Sequence, residues 1–184
     1  MDDKQKKFLL AVARNAVVAA VKKHRLPPPQ TSDPLLLELR GCFVTLKNNG
    51  DLRGCIGNFV ADKPLIEMIH NMAIAAATED PRFLRDPITH REAKKLDIEI
   101  SVLSPLVKTD DPLSLQLGID GIYIKKGFAA GCFLPQVATE TGWTKEEFLS
   151  YCCEHKAGLA PDAWKDPKTN VYLFTADVFG EEDF

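Results

Sequence analysis

Residues 4–24 contain no Gly or Pro and carry apolar side chains around most of a helical wheel. That pattern predicts a helix covered on most of its circumference, ended by Pro27-Pro28-Pro29. A second stretch, 63–78, is amphipathic: Leu65, Met68, Ile69, Met72, Ala73 and Ala76 share one face, and Glu67, Asn71 and Thr78 the other. Asp62 is its expected N-cap, with Pro64 in the first turn. His70 falls at the border of the apolar face and is expected in solvent, as are His24 and His90. Glu79-Asp80-Pro81 closes this helix, and a short helix is expected over residues 90–96.

Elsewhere the apolar period shortens to two. Ile98, Ile100 and Val102 alternate with Glu99 and Ser101, which predicts a half-buried strand ending at Ser104-Pro105. Residues 37–57 read as two strands around Asn48-Asn49-Gly50-Asp51, where Asn-Gly supplies the two positive-φ residues of a tight hairpin. Residues 121–125 and 129–133 flank Lys126-Gly127 as another hairpin. A loop holding Leu134-Pro135-Gln136 then leads to a helix capped by Thr144 and Glu147, running to Ala157 and stopped by Gly158. One last strand is expected over 171–179. Helices interleaved with hairpins predict an α+β fold with mostly antiparallel pairing.

The length of 184 residues fits one domain or two small lobes sharing a core. A net charge of −3 argues against nonspecific binding to nucleic acid, which needs clustered cations. No apolar run approaches the roughly 18–20 residues that span a bilayer. Lys4, Lys6 and Lys7 precede an apolar stretch as in a secretory leader, but Arg14 and Asn15 split it, so it reads as a helix. Five cysteines without a paired framework suggest reduced thiols and a cytoplasmic location. Phosphate-loop, dinucleotide and zinc-knuckle motifs are absent, so no cofactor is assigned. Cys152, Cys153 and His155 cannot jointly grip one ion from a regular helix, and they read as core thiols plus a surface imidazole. Trp143 and Trp164 read as packing anchors.

The chemistry that remains centres on Leu52-Arg53-Gly54-Cys55-Ile56-Gly57. On a regular strand Arg53 and Cys55 project from one face, placing a cation beside a thiol and favouring its nucleophilic form. Gly54 and Gly57 leave room for another backbone or a ligand. With a two-residue turn, however, Cys55 faces Val44 and Arg53 faces Leu46, the geometry of an inert core thiol; a bulge would change that register. Glu79 falls on the apolar arc of its helix, an odd place for a carboxylate unless it meets a cation such as Arg82 or Arg53. Gln136 offers a donor and an acceptor for orienting a ligand.

These residues resemble the AMMECR family. The hexapeptide 52–57 matches its signature, Ala77-Thr78-Glu79-Asp80-Pro81-Arg82-Phe83 its second block, and Ile98-Glu99-Ile100-Ser101-Val102-Leu103-Ser104-Pro105 its third. Gly131-Cys132-Phe133-Leu134-Pro135-Gln136-Val137-Ala138 and Lys156-Ala157-Gly158-Leu159 are similar to its C-terminal blocks. The resemblance implies a single domain over 1–184 made of two unequal, closely packed lobes, each a sheet with helices, and a cleft near the signature. It also implies MEMO-like and radical-SAM proteins as partners. Asp120-Gly121 stands where many relatives have His-Gly, so no histidine role carries over there. The expectation is a protein that binds a small molecule and modifies it, with Cys55 as nucleophile or ligand contact and Glu79 as proton carrier. Arg53, Gly54, Gly57, Arg82 and Gln136 would contact the ligand. The alternative is a noncatalytic adaptor.

Overall fold

In the computed structural model, which describes residues 1–184, the first helix, α1 (Asp3–Val21), starts from a capping box between Asp2 and Gln5. Its buried residues Leu9, Leu10, Val12, Ala13, Ala16 and Val17 span more than one stripe, as its pattern required. It packs on α2 (Leu65–Thr78), whose Ala73, Ala76 and Ala77 are buried. Pro64, not Asp62, stands at the N-cap of α2, and no side chain caps it. His70 is only 3% exposed, against the expectation of a solvated imidazole.

The two helices cover a four-stranded sheet of order β2-β1-β3-β8, formed by β1 (Cys42–Asn48), β2 (Asp51–Asn58), β3 (Asp97–Leu103) and β8 (Ala176–Gly180). Val44, Leu46, Ile98 and Ile100 face the helices and are fully buried, which is the predicted alternation. Asn49 and Gly50 take positive φ at the β1–β2 turn, as the Asn-Gly pair predicts. Between β2 and β3 lies the short α3 (His90–Ala93), capped by Thr89 and Glu92.

The second sheet has the order β4-β7-β5-β6, from β4 (Val107–Thr109), β5 (Gly121–Lys126), β6 (Ala129–Phe133) and β7 (Asn170–Phe174). Its core includes Ile122, Ile124, Phe133, Phe148, Trp164 and Val171. The segment expected as a loop around Gln136 is a helix, α4 (Pro135–Thr141), because Pro135 suits the first helical position and Gly142 supplies the left-handed end. After α5 (Lys145–Tyr151) the chain widens into a π-helical turn, Cys152–Lys156.

The expected single strand over 171–179 is two strands in two different sheets. Thr175 interrupts it: Ser104 Oγ accepts the Thr175 N–H at 2.9 Å, and the Thr175 carbonyl accepts the Ser104 N–H at 2.9 Å. The chain accordingly divides into two compact units, Met1–Leu103 with Asp177–Phe184, and Ser104–Ala176. No helix is long and apolar enough to cross a membrane.

Candidate functional site: the edge strand at Cys55

The hexapeptide forms most of β2, an edge strand. Opposite Leu46 stands Gly54 and opposite Lys47 stands Leu52, so Arg53 is an extra residue, a β-bulge. The bulge shifts the register by one position relative to the simple hairpin. Cys55 therefore faces Thr45, Ile56 faces Val44, and Gly54 takes the core position opposite Leu46. Gly54 has a steric reason to be glycine: a Cβ there would lie 2.0 Å from the Ala76 carbonyl oxygen, because α2 crosses directly over the strand. A Cβ on Gly57 would strike the Phe43 ring at 2.2 Å. Both glycines admit other parts of the protein, and the space expected for a ligand is already filled.

Arg53 and Cys55 do not share a hollow. Asn48 and Thr45 lie on opposite faces of β1, and the two side chains follow them. Arg53 joins Asn48 at Glu92: Arg53 Nε donates to Glu92 Oε1 at 2.5 Å and Asn48 Nδ2 to the same oxygen at 3.2 Å. Arg53 also donates to the Asp86 carboxylate and backbone carbonyl, each at 2.9 Å. Its hydrogen bond with Glu92 raises its pKa, outweighing burial. Burial opposes ionisation of Glu92, but the hydrogen bonds from Arg53 and Thr89 win and its pKa falls. Arg53 thus fixes the 83–92 segment to β2 and does not serve the thiol.

The cation beside Cys55 is Arg82. Arg82 Nη2 donates to the Cys55 carbonyl at 3.3 Å, and Asp80 Oδ2 accepts the Cys55 N–H at 2.9 Å. Asp80 and Arg82 are themselves paired at 2.7 and 3.0 Å. An edge strand leaves such backbone groups unpaired. Here one acid and one base satisfy both groups of Cys55, as a neighbouring strand would. Asp80 is 3% exposed, yet the hydrogen bond from Arg82 holds its carboxyl well down, at about 2, against the opposing effect of burial. The Arg82 pKa rises first through Asp80 and further through its neighbour Cys55. The Arg53 and Arg82 guanidiniums both lie over the Phe83 ring, at 5.6 and 5.5 Å.

Cys55 is half-buried, and its Sγ accepts from Thr45 Oγ1 at 3.2 Å. Cys42, Cys152 and Cys153 are fully buried, and burial pushes the Cys42 thiol up to about 12 and raises those of Cys152 and Cys153. Glu79 does not meet Arg82 or Arg53. It sits one residue beyond α2 with φ −125°, where the wheel angle no longer applies, and its side chain is exposed. The carboxylate that meets the cation is Asp80. Gln136 lies in the other unit, on the first turn of α4.

Asp80, Glu92 and Thr45 are not marked by the sequence pattern, although Asp80 lies within the block 77–83. The signal in the sequence is the Asp80-Pro81-Arg82 run after a helix, an acid and a base able to satisfy the backbone groups of an edge strand. Cys152 and Cys153 are core thiols as expected, and the exposed His155 stacks on Tyr151.

The AMMECR1 family model matches residues 10–179. A protein of Thermococcus gammatolerans is 43% identical over 98% of this chain and 92% of its own length. One of Methanothermobacter thermautotrophicus is 42% identical over 95% and 93%. The crystal structure of an uncharacterized protein from Pyrococcus horikoshii superposes with a TM-score of 0.87, at 40% identity, covering 99% of this chain and 94% of that one. With a family model spanning nearly its whole length and relatives above two-fifths identity, the chain belongs to the AMMECR1 family.

Proposed function

We propose that this protein binds a small molecule at the edge strand β2 and modifies it through the sulfur of Cys55. One observation carries the reading: the Cys55 sulfur accepts a hydroxyl hydrogen bond from Thr45 while the Arg82 guanidinium is hydrogen-bonded to the backbone carbonyl of the same residue. A cation next to sulfur stabilises negative charge on it, and the thiolate is the attacking form. Thr45 orients the sulfur, Asp80 fixes Arg82, and the exposed Glu79 supplies the carboxylate for proton transfer. Arg53 acts at one remove, holding the segment that carries Phe83 and Glu92.

The test is to incubate wild type and Cys55→Ala with a metabolite extract and read retained compounds and covalent adducts by mass spectrometry. The reading expects a compound or adduct that disappears in Cys55→Ala and weakens in Arg82→Gln. Identical profiles for all three proteins would end it.

A second reading, docking onto a MEMO-like or radical-SAM protein, is favoured by one feature of the other unit. Phe128 is fully exposed at the tip of the β5–β6 hairpin, next to Gly127 with φ +61°. Aromatic side chains are enriched at the cores of protein interfaces. Phe128→Ser would then weaken capture of such a partner by roughly tenfold or more; unchanged capture would remove this reading.

A further inference from the structure

A groove of about 570 Å3 opens in the first unit where α1 ends, beside the last turn of α2 and the 80–88 segment. That volume lies in the range of small-molecule sites. Its walls are apolar, built by Val21, Ile74, Ala77, Phe83 and Ile88. Two leucines at its lips, Leu26 and Leu84, are 40% and 59% exposed. Apolar side chains around a concavity stay in water unless something covers them.

The rim has one sign of charge to offer. Lys23 and Arg25 line it as cations, with the imidazole of His24 between them; all three are exposed, and neither cation is engaged by a carboxylate. The acid that lines it, Asp80, is already held by Arg82 and the Cys55 N–H. Cations also gather just beyond: His90 has its pKa lowered by burial and then by Lys22 and Lys94. The local excess is thus positive in a chain whose net charge is −3.

The end of α1 places these cations. Lys23 N–H bonds the Ala20 carbonyl at 2.8 Å and His24 N–H the Ala19 carbonyl at 2.9 Å, a Schellman ending with Lys23 at φ +59°. Glycine normally fills that left-handed position, and a lysine there costs about 1 kcal/mol. Attraction between cations and a helix C-terminus accounts for a lysine near this point. It does not account for a groove of apolar walls with uncovered leucines on its lips.

We propose that this groove binds a small amphipathic anion, its apolar body along Ile74, Phe83 and Ile88 and its head group between Lys23 and Arg25. The clustering of cations at one end of an apolar groove of small-molecule volume selects this occupant over a neutral lipid or a polypeptide segment. The site is separate from the thiol chemistry proposed above, because none of Cys55, Arg53 and Arg82 lines the groove, and the two share only Asp80 and Phe83.

The full chain is titrated by calorimetry with decanoate, and with decanol and decyltrimethylammonium as neutral and cationic counterparts. Decanoate should bind at one site, with both counterparts weaker by about tenfold or more. The Lys23→Gln/Arg25→Gln double variant should lose about tenfold for decanoate while keeping its weak affinity for decanol. Ala77→Leu, which fills the groove, should lose both. Should that variant not fold, Leu84→Ser at an exposed lip should still weaken decanoate about threefold or more. Decanoate binding no tighter than decanol, or unchanged in the double variant, would overturn the proposal. So would binding that is unaffected by Leu84→Ser.

Discussion

Each unit carries a Gly-Cys pair on a strand beneath a helical segment, and the two pairs have opposite chemical surroundings. In the first, Gly54 lets β2 pass under Ala76 of α2; in the second, Gly131 lets β6 pass under the π-helical turn, where a Cβ would lie 2.4 Å from the Ala157 nitrogen. The packing problem and its solution are the same. The thiols that follow differ. Cys55 receives a hydroxyl hydrogen bond from Thr45 and lies beside Arg82. Burial pushes Cys132 up to about 11, with Lys156 opposing too weakly to offset it. Glycine therefore sets how closely strand and helix approach, and the residues arriving from elsewhere in the chain set the polar surroundings of the adjacent sulfur.

The parallel in packing is tested first, because it predicts the largest effect. Gly54→Ala and Gly131→Ala should each cost about 3 kcal/mol or more in denaturant unfolding, since the obstructing atoms are backbone and cannot rotate away. A cost below about 1 kcal/mol at either site would break the equivalence. Next comes the clip that has no counterpart around Cys132. Asp80→Ala leaves the Cys55 N–H and Arg82 without their acceptor and should cost about 2–3 kcal/mol.

The same carboxylate gives a pH signature. Its folded pKa, about 2, lies below the ordinary value of 3.8, so its contribution is complete above pH 4 and is lost as pH falls towards 2. That contribution is about 2 kcal/mol, and Asp80→Asn should flatten the acid limb of stability by that amount. An unchanged acid limb would mean that the Asp80 carboxylate is held no better in the folded protein than in the unfolded chain. The smallest effect concerns the end of α1: Lys23→Gly relieves a left-handed lysine and should raise stability by about 1 kcal/mol. A loss of stability would show that the lysine side chain contributes more than its backbone costs.

The helices α1 and α2, the Asn-Gly hairpin and the β3 alternation were all readable because local periodicity and turn chemistry dictate them. Three features were not. The bulge at Arg53 is invisible to a period-two count, yet it moves Cys55 from facing Val44 to facing Thr45. The division of 171–179 between two sheets rests on hydrogen bonds between Ser104 and Thr175, which are 71 residues apart. The buried carboxylate is Asp80 and not Glu79, because the helix stops at Thr78 and the turn that follows rotates the next residue inward. Among the candidate residues, Cys55 and Arg82 come together as neighbours, Arg53 turns to Asp86 and Glu92, and Gly54 and Gly57 are filled by protein atoms.

The central claim is that Arg82, not Arg53, governs the sulfur of Cys55. The rate at which iodoacetamide alkylates each cysteine of the native protein at neutral pH, read by peptide mass spectrometry, tests it directly. Cys55 should react before Cys132 and well before the buried Cys42, Cys152 and Cys153. Arg82→Gln should slow Cys55, while Arg53→Gln should lower stability but leave the native rate unchanged. Labelling of Cys55 only on unfolding, or a rate that follows Arg53 and ignores Arg82, would contradict the account.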